Sequence, residues 1–295
     1  MPAVMKIAIH GRKIDNTSSQ YIQQLLQCIR AKRSEIVVSQ AFIDSLKEIE
    51  VDLEGIGSFN GRSGLEKVDF VISVGGDGTL LETVSYVGPL ELPIVAINTG
   101  RLGFLATISK EMIPQAIDAL FENQFSFEYR SLVKVHSDKD IFNGKNFGLN
   151  DFTILKKDTS AMITVHAYID GEYLNSYWAD GLIVSTPTGS TGYSLSCGGP
   201  VVLPQSNNFI ITPVSPHNLT VRPMVVSDNS VISFEIEGRS KNFLVSLDTR
   251  SYTVDASVQM AVSKEDFQAK LVKLDGYNFL DTLRMKLNWG YDARN

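Results

Sequence analysis

Cysteine is nearly absent from this sequence of 295 residues, which has two, Cys28 and Cys197. They stand far apart and match no metal-ligand spacing, so neither a disulfide framework nor a zinc ribbon is supported, and a reducing compartment fits. The four histidines, His10, His136, His166 and His217, are equally scattered and form no metal constellation. Long apolar runs are missing as well. The first apolar stretch, Ile7 to Ile9, is too short for a signal-peptide core or a spanning helix, and no later run approaches spanning length. The expectation is a soluble, unprocessed, cytoplasmic protein. Positive charge is in deficit: 27 Lys and Arg against 33 Asp and Glu give a net charge of −6. A diffusely acidic surface repels phosphate backbones, which argues against a nucleic-acid partner. The Walker pattern GxxxxGK[ST], a GxGxxG fingerprint after a strand and the GxSxG elbow are all absent. A P-loop enzyme, an ordinary dinucleotide-binding dehydrogenase and a serine hydrolase are therefore not indicated.

With 43% hydrophobic and 20% charged residues, the chain has the composition of a globular protein, and its length favours two cores over one. The first third shows a βαβ rhythm. Lys6 to His10 is followed by Thr17 to Ala31, Ile36 to Ser39, Ala41 to Ile49, Asp69 to Val74, Leu80 to Val87 and Ile94 to Ile97, and a helix over Lys110 to Glu122 closes it. The runs DFVISV and PIVAI are continuous and β-branched, as parallel strands covered on both faces require. From about Phe125 the period changes to 2, in Arg130 to Ser137, Ile154 alone amid polar neighbours, Met162 to Ile169, Leu182 to Ser185, Val231 to Ile236 and Asn242 to Leu247, with turn signals between them. An α/β domain over 1–125 and a β-rich domain over 126–277 are expected. The tail, 278–295, returns to helical spacing in FLDTLRMKLNW and is expected to pack back on the first domain.

The sharpest local feature is Gly75-Gly76-Asp77-Gly78-Thr79, between the strand DFVISV and the helical stretch from Leu80. Glycines there let backbone N–H groups approach a phosphate, the helix N-terminus favours negative charge, and Thr79 can cap the helix. Asp77 is the odd member of such a cradle, and its presence suggests a base. The alternative, a tight turn with Asp77 as a capping residue, has an even claim on an isolated GGDG.

A second cluster, WADGLIVSTPTGSTGYSLSCGGP, spans Trp178 to Pro200. Its seven hydroxyls (Ser185, Thr186, Thr188, Ser190, Thr191, Ser194 and Ser196) and five glycines make a surface of short donors suited to ribose and pyrophosphate, and Tyr193 offers a flat face for a base or a nicotinamide. A Ser/Thr-rich loop that satisfies itself through local turns is the alternative.

Five ordered blocks carry a resemblance: GGDGTLL (Gly75 to Leu81), NTGRLGFL (Asn98 to Leu105), LNDFTIL (Leu149 to Leu155), DGLIVSTPTGSTGYSLSCGGP (Asp180 to Pro200) and TPVSPHNLTVRP (Thr212 to Pro223), with LRMKLNWG in the tail. In this order, over most of the chain, they resemble the NAD kinase family. The resemblance implies a Rossmann-like, phosphofructokinase-like parallel sheet followed by a β-sandwich, with the dinucleotide in the crevice between them. It makes Asp77 the catalytic base and places Asp77, Gly78, Phe104, Asn150, Asp151, Asp180, Thr188, Thr191, Gly192, Tyr193, Ser194, Leu195 and Ser196 at the NAD site.

Within that set Asn150 and Asp151 match an Asn-Glu pair that holds ribose hydroxyls, with the acid shortened. Asp180 matches an aspartate at the nicotinamide end, and Gly192 replaces the usual alanine of the stretch Thr191 to Ser196. Phe104 resembles an aromatic beside the adenine, although a core aromatic under a loop would look the same. Trp178 stands where some members have a basic residue involved in nucleotide choice, His217 reads as structural or as a support one layer behind the site, and Asp248-Thr249-Arg250 departs from a frequent Asp-Gly-Gln. The implied substrates are NAD and ATP, or polyphosphate, with magnesium held mainly by the triphosphate and the chain assembled as a homodimer or homotetramer.

Rival readings have weaker sequence support. A lipid kinase shares GGDGT but carries PxGTxND downstream, and a 6-phosphofructokinase carries PKTIDND; neither is present. A non-catalytic NAD(P) sensor would be expected to have lost Asp77.

Overall fold

The computed structural model describes residues 4–12, 18–49, 51–157 and 161–290. Thr17 at the expected helix start, residues 1–3 of the expected first domain and residues 291–295 of the expected tail lie outside them. The chain divides into two compact units: the first ends at Glu128 and resumes at Lys270, and the second runs from Tyr129 to Ala269.

The first unit is an α/β layer structure. Strands β1 (Lys6–Gly11), β2 (Glu35–Ser39), β3 (Gly57–Phe59), β4 (Phe70–Val74) and β5 (Ile94–Asn98) alternate with helices α1 (Ser19–Ala31), α2 (Gln40–Lys47) and α3 (Asp77–Val87), and α4 (Ile113–Phe121) follows. Every residue of β4 and β5 is buried, as expected for parallel strands with helices on both faces. Helix α1 buries Ile22, Leu25, Leu26 and Ile29, a stripe at the i, i+3, i+4, i+7 spacing. The sheet order is β3-β2-β1-β4-β5, then Ala269–Leu274 and Phe125–Arg130, with Ile108–Ser109 also paired to β5.

Strand order therefore reverses between β1 and β4, which are parallel neighbours in the register Ile7↔Phe70. In open α/β sheets the carboxyl ends of two such strands are where ligands bind. Gly11 and Gly75 stand at those ends.

The strand Ala269–Leu274 joins β5 in parallel through Leu271↔Ile94, so the first unit resumes well before the tail assigned to it from sequence. The difference arises because AKLVKL alternates weakly and resembles any strand of the preceding β-rich stretch. The tail follows as a helix, Phe279–Leu287, whose N-cap Asn278 accepts the N–H of Leu280, and its Lys286 Nζ donates to the carbonyl of Leu102.

The second unit is an antiparallel sandwich of two six-stranded sheets. One runs Met224–Ser227, Asn208–Val214, Gly181–Ser185, Asp151–Lys156, Asn242–Leu247, Arg250–Asp255; the other runs Glu172–Ala179, Ile163–Ile169, Ile232–Glu237, Met260–Lys264, Val133–Ser137, Phe147–Gly148. In Ile163–Ile169, Ile163, Val165 and Ala167 are buried while Thr164, His166 and Tyr168 are not, the period-2 pattern of a half-buried strand. They share the inner core with Phe152, Phe209, Phe234 and Phe243.

Candidate active site

The local fold of GGDG follows from its glycines. Gly75 has φ +150, and a Cβ there would lie 2.3 Å from Thr79 Oγ1; only glycine fits. Gly76 is the N-cap of α3, and no side chain caps that helix. Thr79, expected as the cap, instead lies in the third helical position with its side chain packed under Gly75, and its carbonyl accepts Thr83 Oγ1 at 2.9 Å.

Asp77 opens the helix without capping it, so the turn-and-cap alternative does not describe what its side chain does. The carboxylate faces the segment Gly103 to Ala106. Oδ2 accepts the N–H of Phe104 at 2.8 Å, and Oδ1 accepts those of Leu105 at 3.1 Å and Ala106 at 2.9 Å. Gly103 makes this approach possible, because a Cβ there would stand 1.9 Å from Asp77 Oδ1.

The loop that presents those amides is organised by a residue that sequence reasoning passed over. Buried Asn98 donates from Nδ2 to the carbonyl of Arg101 at 3.0 Å and accepts the N–H of Gly100 at 2.8 Å. The signal was its place at the strand end in front of Thr-Gly. Phe104 is half-buried, with Lys286 Nζ at 5.8 Å from its ring centroid.

A cation also stands at the glycine loop: a Cβ on Gly78 would be 3.8 Å from Arg12 Nη1. Arg12 Nε donates to Glu82 at 2.7 Å. His10 and Arg12 together hold the Glu82 carboxyl down to about 2 against its partial burial.

In the second unit Asn150 and Asp151 lie where the buried strand Asp151–Lys156 begins, paired to Gly181–Ser185 with Asp151 opposite Ser185. The hydroxyl cluster follows that partner strand and folds back on the pair. Thr186 Oγ1 donates to the carbonyl of Leu149 at 2.5 Å, and its N–H donates to that of Asn150 at 2.9 Å. Gly189 sits so close that a Cβ would be 2.1 Å from the Asn150 oxygen, while one on Gly192 would lie 3.8 Å from both Asn150 Nδ2 and Asp151 Oδ2. The stretch Thr191 to Ser196 thus meets the Asn-Asp pair directly at Gly192.

Of the hydroxyls, Thr188 is buried and accepts from Arg130 Nη1 at 3.1 Å, and buried Ser194 bonds Thr212 Oγ1 at 2.8 Å. These two brace the loop, in part as the self-satisfying alternative expected. Thr191 Oγ1 donates to the carbonyl of Thr188 at 3.3 Å. Tyr193 is 40% exposed, Ser196 is exposed and Leu195 half-buried. Burial pushes the Tyr193 hydroxyl up, helped by Cys197 and by the charges of Asp180 and Asp151. Asp180 is bound to Lys156 Nζ at 2.6 Å. His217, exposed, packs on Trp178 with ring centroids 4.2 Å apart.

Two groups in this unit lack what their burial demands. Asn150 Oδ1 is buried and has no hydrogen-bond partner among the described residues. Asp151 is 7% exposed, and burial, with the charge of Asp248 as the second cause, pushes its carboxyl up to about 7. An orphan acceptor and a carboxyl with a raised pKa thus stand next to each other in the chain, and both have capacity for a hydrogen-bond partner.

Residues 7–125 match the family model of the ATP-NAD kinase N-terminal domain, and 149–274 that of the ATP-NAD kinase C-terminal domain. The chain is 51% identical to the NAD kinase of Cytophaga hutchinsonii over 99% of this chain and 100% of that protein. It is 40% identical to the NAD kinase of Bacteroides fragilis over 98% and 100%. An Archaeoglobus fulgidus NAD kinase solved in complex with ATP is 28% identical, with a TM-score of 0.71 over 96% of this chain and 99% of that one. Yeast NADH kinase complexed with NADH shares the fold, with a TM-score of 0.88 at 21% identity over 99% and 89%. These matches run through both units and all five signature blocks, and the chain belongs to the NAD kinase family of phosphotransferases that use an alcohol group as acceptor.

Proposed function

We propose that the chain transfers the γ-phosphoryl group of ATP to the 2'-hydroxyl of the adenosine ribose of NAD, giving NADP and ADP, as a cytoplasmic homo-oligomer in NADP biosynthesis. The observation that carries the chemistry is the state of Asp77. Three backbone N–H groups fix its carboxylate. A carboxylate offers about four acceptor sites, so one remains for a hydroxyl. A ribose hydroxyl does not ionise at neutral pH, and it needs a positioned base to take its proton as the O–P bond forms and the bridging P–O bond to ADP breaks.

The acceptor is held by the second unit. Asn150 Oδ1 and Asp151 take ribose hydroxyls, Tyr193 and Asp180 face the nicotinamide end, and Thr188 to Ser196 line the dinucleotide. Phe104 lies against the adenine and Gly78 beside the phosphates. The Archaeoglobus relative, solved with ATP, supports ATP as donor.

Among the described residues no group of three or more His, Cys, Asp or Glu could hold a metal. A magnesium ion prefers phosphate oxygens and water to a protein cage, and this donor set is compatible with an ion that arrives on the triphosphate and neutralises its charge.

The test is Asp77→Asn. Its turnover of NAD with ATP is expected to fall by about two to four orders of magnitude, with calorimetric binding of NAD and thermal unfolding largely retained. Turnover within a few-fold of wild type would remove Asp77 as base.

A further inference from the structure

Asp248 stands outside every role assigned so far, yet its side chain is committed to the residues that hold the ribose. It lies in the turn Asp248-Thr249, between the paired ends Leu247 and Arg250, with φ +53. From there Oδ2 accepts the N–H of Leu149 at 2.8 Å, and Oδ1 accepts those of Asn150 at 2.7 Å and Asp151 at 3.3 Å. Its own N–H donates to the Asp151 carbonyl at 3.0 Å. Arg250, two residues on, donates through its two Nη atoms to the carbonyls of Lys145 and Phe147, both at 2.5 Å.

One short turn thus grips carbonyls at 145 and 147 and amides at 149, 150 and 151. Gly148 lies between, and a Cβ on it would come within 2.9 Å of Asp248 Oδ1. Nothing in sandwich formation requires three successive amides to converge on one carboxylate. The strand Asp151–Lys156 is already paired on both sides.

We propose that Asp248, with Arg250 beside it, is a positioning residue for NAD: by clamping the backbone of 149–151 it aims Asn150 Oδ1 and the Asp151 carboxyl at the ribose hydroxyls. This rests on the reading of Asn150 and Asp151 as the ribose grip. The clamp has a second effect. Burial raises the carboxyls of both Asp151 and Asp248, but three N–H donors and the guanidinium of Arg250 pull Asp248 back. The titratable groups acting on Asp151 are Asp248 from the turn and Tyr193 from the helix Tyr193–Ser196, while Arg250 reaches it only through Asp248.

The experiment compares Asp248→Asn, Arg250→Gln and Asp151→Asn with wild type in the full chain, measuring KM for NAD, KM for ATP, kcat and thermal unfolding from pH 5.5 to pH 8.5. At pH 8.5, where Asp151 is ionised in wild type, loss of a supporting partner should raise the NAD KM by about 10-fold or more while the ATP KM stays within about twofold. The NAD KM of wild type should fall as pH rises through about 7, and in Asp248→Asn this inflection should move to lower pH, because the neighbouring negative charge is gone. That shift follows from the lost charge alone, so the clamp itself is read from the rise in the NAD KM against a steady ATP KM. Arg250→Gln carries the same KM comparison if Asp248→Asn does not yield folded protein.

An unchanged NAD KM in Asp248→Asn and Arg250→Gln, with a raised one in Asp151→Asn, overturns the clamp and leaves the ribose grip standing. Equal rises in both substrates' KM also overturn it. An unchanged NAD KM in Asp151→Asn overturns the grip and the clamp with it.

Discussion

Replacing Asp151 by asparagine tests the site from the side of stability. The native carboxyl is held at about 7 against an ordinary value of 3.8. Above pH 3.8 the unfolded chain releases this proton and the native state keeps it until about 7, so the unfolded state binds fewer protons and native stability falls as pH rises through that window. At 1.36 kcal/mol per unit, a shift of about 3 units amounts to ~4 kcal/mol lost by pH 8.5. Of this, the part between pH 5.5 and about 7 corresponds to ~1.5 units, or ~2 kcal/mol.

Asparagine has nearly the same shape and no proton to lose, and it also relieves Asp248 of a like charge. The advantage of Asp151→Asn over wild type should therefore grow by ~2 kcal/mol between pH 5.5 and pH 8.5, a difference of about 3 °C in Tm at about 2.1 cal/mol/K of unfolding entropy per residue. Paired melts of the two proteins across that range, without nucleotide, make the measurement. Only the change with pH counts, since a constant offset reflects the fit of the amide. A stability difference that is flat from pH 5.5 to pH 8.5 would refute the reasoning, for Asp151 would then be ionised throughout. Such a stabilised but disabled variant would be the expected signature of a residue kept for binding.

Gly103→Ala should drive the Asp77 carboxylate off its three amide donors, because the new methyl would overlap Oδ1. A displacement on the order of 1 Å at a catalytic group lowers kcat by about 10²-fold, and overpacking costs about 1–3 kcal/mol in stability. Steady-state rates and thermal melts check both, and an unchanged kcat would show that the carboxylate's place does not matter. Self-association is checked by light scattering at assay concentration, where a fully active monomer would exclude the proposed homo-oligomer.

What was legible in the sequence was whatever is local. The runs of β4 and β5 declare themselves because burial on both faces leaves them almost wholly apolar, with only Ser73 and Asn98 polar, and Asp77 stands out because a carboxylate sits among the glycines of a strand-to-helix turn. The strand Asp151–Lys156 was marked in the sequence by Ile154 alone: DFTILK mixes polar residues into a strand whose first four positions are buried. Asn208–Val214 was passed over, since Pro213 interrupts its run and proline argues against a strand inside a sheet. The site's supports were the least readable. The three amides that hold Asp77 lie 27 to 29 residues away, and those held by Asp248 lie 97 to 99 residues away. No periodicity encodes a contact between a side chain and a remote backbone group.

The strand Ala269–Leu274 gives this protein a schedule. Its partner β5 is among the first elements to leave the ribosome, yet the edge that β5 offers to Leu271 stays open until the whole of Tyr129–Ala269 has been synthesised. The second unit is therefore an insertion within the first, and a nascent chain that has completed β1 to β5 still exposes an unpaired strand edge, the feature that recruits other chains. Fragments ending near residue 125 would carry the GGDG loop on an unfinished sheet. The part of the chain with the proposed base thus reaches its final form only after the part with the proposed ribose grip has been made.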